Sequence, residues 1–379
     1  MTNVSPACVA VAIALLGLNT AAAEDFYPAR AWGAFSKGDM NTSSFVFRDM
    51  NRNGVYDVGD RPMTYVAVVM TGPDGQTVTR RSNLSGFANF KMSVIGRDRD
   101  LINPGRYSFR VAPPPGWSVT TGNGTQEGEY TVLAGAPGDM VAQAPTHPVG
   151  LTADLTIGGM ASPGATIMAI GPEGRTAEAV ADPDGRFMMA ATPGAWALTY
   201  AAEGANDATT RRVTVRSEPV VLSNAGDAAP ATSPQVVDFD HLMMSEAVLE
   251  IPSGHGGLGW YNLIAMHQRF GGGPGYINGT LSGEFIAYNS SGHPAAVFSD
   301  RPFDLAGVDL AVGWNDAEGE TVSIRAWRGD TLAYEDTVRL SAMGPVRFAA
   351  DYSAVNRIEF STAHYWQMVM DDFTYAIAP

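Results

Sequence analysis

"TYVAVVMTGPDGQTVTRRSNLSGFANFKM" (Thr64–Met92) and "PGATIMAIGPEGRTAEAVADPDGRFMM" (Pro163–Met189) align without a gap, and their shared pattern decides the fold. Each runs from an apolar strand through a Gly-Pro-acid-Gly turn into a more polar strand, then through an Asn/Asp-x-x-Gly turn to an aromatic strand start at Phe87 or Phe187. The second turn glycine follows the first by 11 positions in both copies, Gly75 to Gly86 and Gly174 to Gly185. Turn residues of this kind between short apolar runs predict hairpins. After an insertion in the first copy ("SVIGRDRDLI"), both resume with Pro-Gly and an alternating strand, "NPGRYSFRV" and "TPGAWALTY". Tyr107, Phe109 and Val111 then correspond to Trp196, Leu198 and Tyr200 at period two, so one face of each strand is buried. The expectation is all-β: two tandem β-sandwiches over 24–146 and 147–223, with no stretch of helical periodicity in either.

The residues also carry a resemblance. "FVFRDMNRNGVYDVGDRPMTYVAVVMTGPDGQTV" resembles the SdrD-type B repeat, a Cna-B or prealbumin-like sandwich of surface proteins. "PGATIMAIGPEGRTAEAVADPDGRFMM" is similar to carboxypeptidase regulatory-like domains of the transthyretin fold. The resemblance implies immunoglobulin/prealbumin-like sandwiches acting as spacers or stalks in secreted and surface proteins. No zinc-ligand motif accompanies the second, so no peptidase activity is implied.

The chain has 379 residues, enough for two or three cores. Residues 1–23 read as a cleaved export signal: an apolar run from Ala7 to Leu18, then Ala21, Ala22 and Ala23 before the acidic Glu24. That run is too short to span a bilayer, and no second one follows. We expect a secreted, extracellular or periplasmic product without stable membrane insertion. Cys8 is the only cysteine and lies in this segment, leaving the expected mature chain no disulfide, thiolate site or cysteine nucleophile. The net charge is −15. Residues 24–145 balance 12 acids with 12 bases, whereas 235–379 carry 18 acids against 7 bases. An acidic C-terminal part argues against a nucleic-acid partner and fits bound cations or plain solubility.

"DMNRNGVYDVGD" (Asp49–Asp60) places oxygen-bearing side chains at alternate positions around a glycine. Counting Asp49 as position 1, Asn51, Asn53, the Val55 carbonyl, Asp57 and Asp60 fall at 3, 5, 7, 9 and 12, with Gly54 at 6. This is the donor spacing of a calcium loop, with Asp in place of Glu at the last position. The other reading is a polar connection whose Asx turns satisfy their own backbone. Set between strands, a bound Ca2+ would staple the sandwich, with no helix pair to open as a switch.

A polar stretch, 224–235, reads as a linker. Beyond it, 236–379 breaks into short strands and reads as a jelly-roll sandwich. Its layout resembles the carbohydrate-binding-module-like, galactose-binding jelly rolls, which implies a glycan or cell-surface component as partner. Two aromatic sites are candidates. In "TVSIRAW", the parity of Val322, Ile324 and Ala326 leaves Trp327 on the face of Arg325, either as a sugar platform or under a loop. In the glycine-rich "IPSGHGGLGWYN", Trp260, Tyr261 and Asn262 either meet a ligand or plug the end of the sandwich. Trp314 shares parity with Val308, Leu310 and Val312 and is read as core. Asp238 and Asp240 in the first strand and Asp371 and Asp372 in the last would oppose one another if those strands pair, and a second calcium would relieve them.

The six histidines are scattered, and no nucleophile elbow, phosphate loop or dinucleotide fingerprint is present. A carboxylate pair such as Glu284 with Asp316 is the remaining route to glycoside chemistry. The expectation is a noncatalytic surface protein. A purely structural matrix or adhesion protein is the second possibility, and a polysaccharide-active jelly roll the third.

Overall fold

The computed structural model describes residues 40–92, 105–132, 140–142, 147–201, 208–224, 233–242 and 248–377. The expected export signal, Cys8 and most of the expected linker lie outside them. Strand is the dominant regular structure among the described residues, with one five-residue α-helix, Pro274–Asn278, and short 3-10 turns. The fold is all-β, built as three sandwiches.

The sequence repeat recurs as a structural repeat down to single hydrogen bonds. In the first copy the Asn83 carboxamide oxygen accepts from the Ser85 and Phe87 amides, and Gly86 N–H donates to Asn83 O. In the second, the Asp182 carboxylate accepts from Asp184 and Arg186, and Gly185 N–H donates to Asp182 O. Gly86 and Gly185 sit at φ +79° and +80°, where a Cβ would lie 2.5 Å from Val46 O and 2.6 Å from Ala161 O. Both turns therefore need glycine twice over, for the dihedral and for the close approach. The period-two reading of the following strands also holds: Tyr107, Phe109, Val111, Trp196, Leu198 and Tyr200 are all buried.

Two five-stranded sheets enclose the first core. In one, Met40–Arg48 pairs antiparallel with Phe87–Met92 and with Arg61–Pro62. The same strand pairs parallel with Val149–Ala153. Val149 and Leu151 pack in this first core, so its packing runs past the expected boundary at 146. The second sandwich stacks the four-stranded Thr176–Val180, Thr166–Ile170, Gly194–Ala201, Ala208–Val215 sheet on Thr156–Met160 and its neighbours.

In the third sandwich, Ala295–Val312 and Val346–Thr362 run side by side through register shifts between Phe298 and Gly307. The paired strands thereby pass from one layer to the other, a jelly-roll device that closes the sandwich. One layer holds Gly259–Tyr261, Thr321–Arg328 and Thr331–Arg339; the other holds Met368–Ile377, Phe285–Asn289, Leu263–His267 and Val248–Glu250. Side chains of both layers meet in one core that includes Val297, Ile324, Leu310, Phe348 and Met370.

The three sandwiches are not beads on a string. Val220–Leu222 pairs parallel with Thr156–Met160 of the second sandwich and parallel with Arg347–Ala349 of the third, so one sheet runs through both. Arg211, only 1% exposed, donates to Ser223 O and pairs with Asp351. Arg48 of the first sandwich is buried and reaches Asn278 O of the third at 3.2 Å and Ser217 O of the second at 3.4 Å. Burial lowers its pKa to about 10, which leaves it charged at neutral pH beside the buried Glu218.

Close by, Asp309 is buried against Arg347, whose Nη1 lies 2.7 Å from Oδ2, while Oδ1 has no partner. Desolvation outweighs the arginine and raises the Asp309 pKa to about 7, with Glu218 and Asp372 adding repulsion. Because the folded pKa exceeds the ordinary carboxylate value, this group favours the native state at low pH and loses that contribution as pH rises through about 7.

Two tests follow from this packing. Gly86→Ala and Gly185→Ala should each destabilise the chain by about 2 kcal/mol or more in urea unfolding, and Gly75→Ala, at φ +77° in open space, by about 1 kcal/mol. Equal costs at the three positions would contradict the close-approach argument. The Asp309→Asn variant should lose stability less steeply than wild type between about pH 4 and pH 7, read as the urea midpoint at each pH.

Candidate functional site

The Asp49–Asp60 loop joins strand Met40–Arg48 to Arg61–Pro62 within one antiparallel pair. Its polar side chains turn inward on one another. Asp49, buried at the end of its strand, accepts from Asn53 N at 3.2 Å and Gly54 N at 2.9 Å. Asp60 accepts from Met50 N at 2.8 Å and Asp57 N at 3.1 Å. Asn51 and Asn53 direct their Nδ2 groups at the Asp57 carboxylate, at 3.0 and 2.7 Å. Tyr56 anchors the loop by packing edge-on against Phe45 and Phe47. Gly54, at φ +76°, makes the bend.

The side chains of Asp49, Asn51, Asn53, Asp57 and Asp60 are thus hydrogen-bonded within the loop itself, and the Val55 amide is held by Asn53 Oδ1 at 2.8 Å. Burial raises the Asp60 pKa to about 6, with Asp49 and Asp57 contributing repulsion. Among the described residues no three His, Cys, Asp or Glu side chains stand close enough to hold a metal. Two of the donors are amides whose oxygens accept from the Asn53 and Val55 N–H groups, the Asx turns of a polar connection, so turning either oxygen onto an ion would cost one of those bonds.

The four acids of the third sandwich are arranged differently. The first and last strands do pair, Gln235–Val237 with Phe373–Tyr375. The first strand ends at Val237, however, so Asp238 and Asp240 lie beyond it in a turn. Asp371 is fully buried, and its Oδ2 accepts from Leu281 N and Ser282 N while Oδ1 accepts from Asp372 N. Ser282 Oγ donates to Asp372 at 2.6 Å, and Glu284 N to Asp240 at 2.8 Å. The positive charge facing this group is Arg61, which donates to Leu281 O and Gly283 O and feels Asp371, Asp240, Glu284 and Asp372. A guanidinium from the first sandwich thus stands where the like-charge argument calls for a cation. Nothing local in the sequence signals a contact across 220 residues.

Of the aromatic candidates, Trp260 is 7% exposed, donates its indole N–H to His255 O at 2.9 Å and packs edge-on against Phe239 and Phe373. Tyr261 beside it is exposed. Asn262, at φ +54°, spends its Nδ2 on the carbonyls of Ser290, His293 and Pro294. Trp327 lies opposite the buried Val322, Ile324 and Ala326 as its parity requires, and the Arg357 guanidinium covers its ring at 4.4 Å. Arg325 is paired with Glu335 at 2.7 Å. Trp314, read as core, is instead 38% exposed: its strand ends at Val312, and alternation does not carry past a strand end. Glu284 stands beside His267, and Asp316 beside Trp314, so the two carboxylates of the glycosidase reading belong to separate clusters.

Trp260→Ala should cost about 3–5 kcal/mol in chemical denaturation, the usual range for truncating a buried indole, and Tyr261→Ala under about 0.5 kcal/mol. A small loss at Trp260 would mean that the indole is dispensable to the core.

No protein-family model matches the chain, and no curated protein matches it. Among solved structures it is similar to GBS52, the minor pilin of Streptococcus agalactiae, at 12% identity over 48% of this chain and 92% of that one, with a TM-score of 0.21. A streptococcal ancillary pilin matches at 12% identity, 49% and 62% coverage and a TM-score of 0.23. The CBM51-2 and INT domains of ZmpB from Clostridium perfringens match at 10% identity, 49% and 38% coverage and a TM-score of 0.21. At TM-scores this low, likeness to these β proteins carries no functional argument. No helix among the described residues is long and apolar enough to cross a membrane.

Proposed function

We propose that the chain is a noncatalytic extracellular or cell-surface protein in which two β-sandwich spacers, the first stapled by calcium at Asp49–Asp60, present the third sandwich to a glycan or another surface component. The observation that carries this reading is the joining of the sandwiches by a shared strand and buried arginines, because a spacer that presents a binding module works by holding it at a fixed place. The loop supports the calcium part. Asp49 and Asp57 add repulsion at the half-buried Asp60, and a divalent ion would relieve it. Asp49, Asn51, Asn53, the Val55 carbonyl, Asp57 and Asp60 would hold the ion, which would supply rigidity and no chemistry.

Calcium should raise the thermal midpoint of the full chain, and Asp49→Ala should abolish the rise. A midpoint indifferent to calcium in the wild-type protein would remove the staple. Binding of the full chain to immobilised glycans, without release of reducing ends from polysaccharide, is the outcome expected of a noncatalytic module. Polysaccharide turnover would overturn it.

A further inference from the structure

Two clefts run along the seam between the first and third sandwiches and share Tyr65 and Asn315. The larger, about 360 Å³, is lined by Tyr65, Asn83, Trp314, Asn315 and Asp316 among others. The smaller, about 210 Å³, continues past Arg81 and Glu318. Together they have the size of a small-ligand site, for which roughly 300–1,000 Å³ is usual.

The walls are fixed. The Asn278 carboxamide makes a reciprocal pair with the Thr64 backbone, accepting from its N–H at 3.0 Å and donating to its carbonyl at 3.1 Å, with a further bond to Ala342 O at 3.0 Å. The next residue, Tyr65, sits at φ +68°, a costly conformation for an aromatic residue. It is held there by its N–H on Ser82 O at 2.8 Å and by Arg81, which bonds its carbonyl at 3.0 Å and covers its ring at 4.3 Å. Across the cleft the Trp314 indole is clamped by its N–H on Gln367 Oε1 at 3.0 Å and edge-on packing with Tyr276. The glycine-rich 271–275 segment lets it lie close. A Cβ on Gly273 would fall 2.3 Å from Gly313 O, and one on Gly275 1.7 Å from Val312 O. A rigid, half-exposed indole is thereby aimed at a cleft with polar walls.

The polar groups point to the ligand class. Asn83 commits its oxygen to the Ser85 and Phe87 amides, leaving its Nδ2 hydrogens as donors. Glu318 is committed to Ser341 Oγ and Ala342 N, and Arg81 to Tyr65. That leaves the exposed Asp316 carboxylate as an acceptor beside the indole. An aromatic face with amide donors and a carboxylate acceptor matches a pyranose, whose C–H face stacks while its hydroxyls bond in the ring plane. Along the seam Arg81 offsets only one of the Asp316 and Glu318 carboxylates, and the remaining negative charge disfavours uronic or sulfated sugars. We propose that this seam binds a neutral oligosaccharide, with Trp314 as the stacking platform and Asn83, Asn315 and Asp316 as the hydroxyl partners. The proposal rests on the glycan-presenting reading and moves its ligand to a site that two sandwiches build together.

The test uses the full chain on an array of immobilised neutral and acidic glycans, comparing wild type with Trp314→Ala, Asp316→Arg and Trp327→Ala. Melting curves confirm that each variant folds. Binding to neutral glycans should fall about tenfold or more in Trp314→Ala and in Asp316→Arg and stay unchanged in Trp327→Ala. Asp316→Arg lies on an exposed turn, so it keeps the test valid if Trp314→Ala fails to fold. Glycan binding that survives both seam substitutions, or that prefers acidic glycans, overturns the seam while leaving the glycan reading in place. A wild-type chain that binds no glycan overturns both.

Discussion

A guanidinium taken out of water must find acceptors for its hydrogens, and Arg48 finds them on two other sandwiches at once. Its carbonyl partners, Asn278 and Ser217, are backbone groups of the third and second sandwiches, so the charge is satisfied only while all three hold one arrangement. Arg211 imposes the same condition between the second and third, and Arg61 between the first and third. Arginine suits this role because it stays charged when buried and offers several donors in a rigid fork. Its neighbours have adapted accordingly: Glu218 is buried near Arg48, and Asp309 is held against Arg347 with its other oxygen unmatched.

The same economy of charge explains the acidic third sandwich. Four carboxylates gather near the ends of its paired first and last strands, and the protein neutralises them with backbone amides, the Ser282 hydroxyl and a guanidinium lent by the first sandwich. In the Asp49–Asp60 loop the nearby guanidinium, Arg52, feels Asp49 but donates to Ala153 O, so the loop's carboxylates take their hydrogen bonds from peptide N–H groups and two amide side chains. The two acidic clusters look alike in sequence and differ in what the fold brings to them.

Features that depended on neighbouring residues were readable from the chain alone. The turns around Gly86 and Gly185, the burial of Tyr107 and Trp196 and the inward parity of Ile324 all follow from local chemistry. Features set by distant contacts were not. Val149 and Leu151 look like the opening of the second sandwich, yet a parallel pairing with Val46–Arg48, about a hundred residues earlier, places them in the first core. Trp260 lies in a loop by composition and in a short strand by pairing, and that pairing turns its indole inward. The exposure of Trp314 depends on where a strand stops, which alternation cannot mark. Arg357 lies over Trp327 because two strands pair, and nothing near either residue says so.

Val220–Leu222 belongs to two sandwiches simultaneously, and this limits how such a chain can evolve. Tandem modules that meet only through linkers can be duplicated, deleted or exchanged, because each folds without its neighbours. Here a cut after the second module would strip Arg347–Ala349 of its partner and expose an unpaired sheet edge, a surface prone to aggregation. An extra copy inserted at the same place would compete for that edge. The number and order of the sandwiches are therefore locked together, and lengthening this chain by recombination would have to begin upstream of the shared strand.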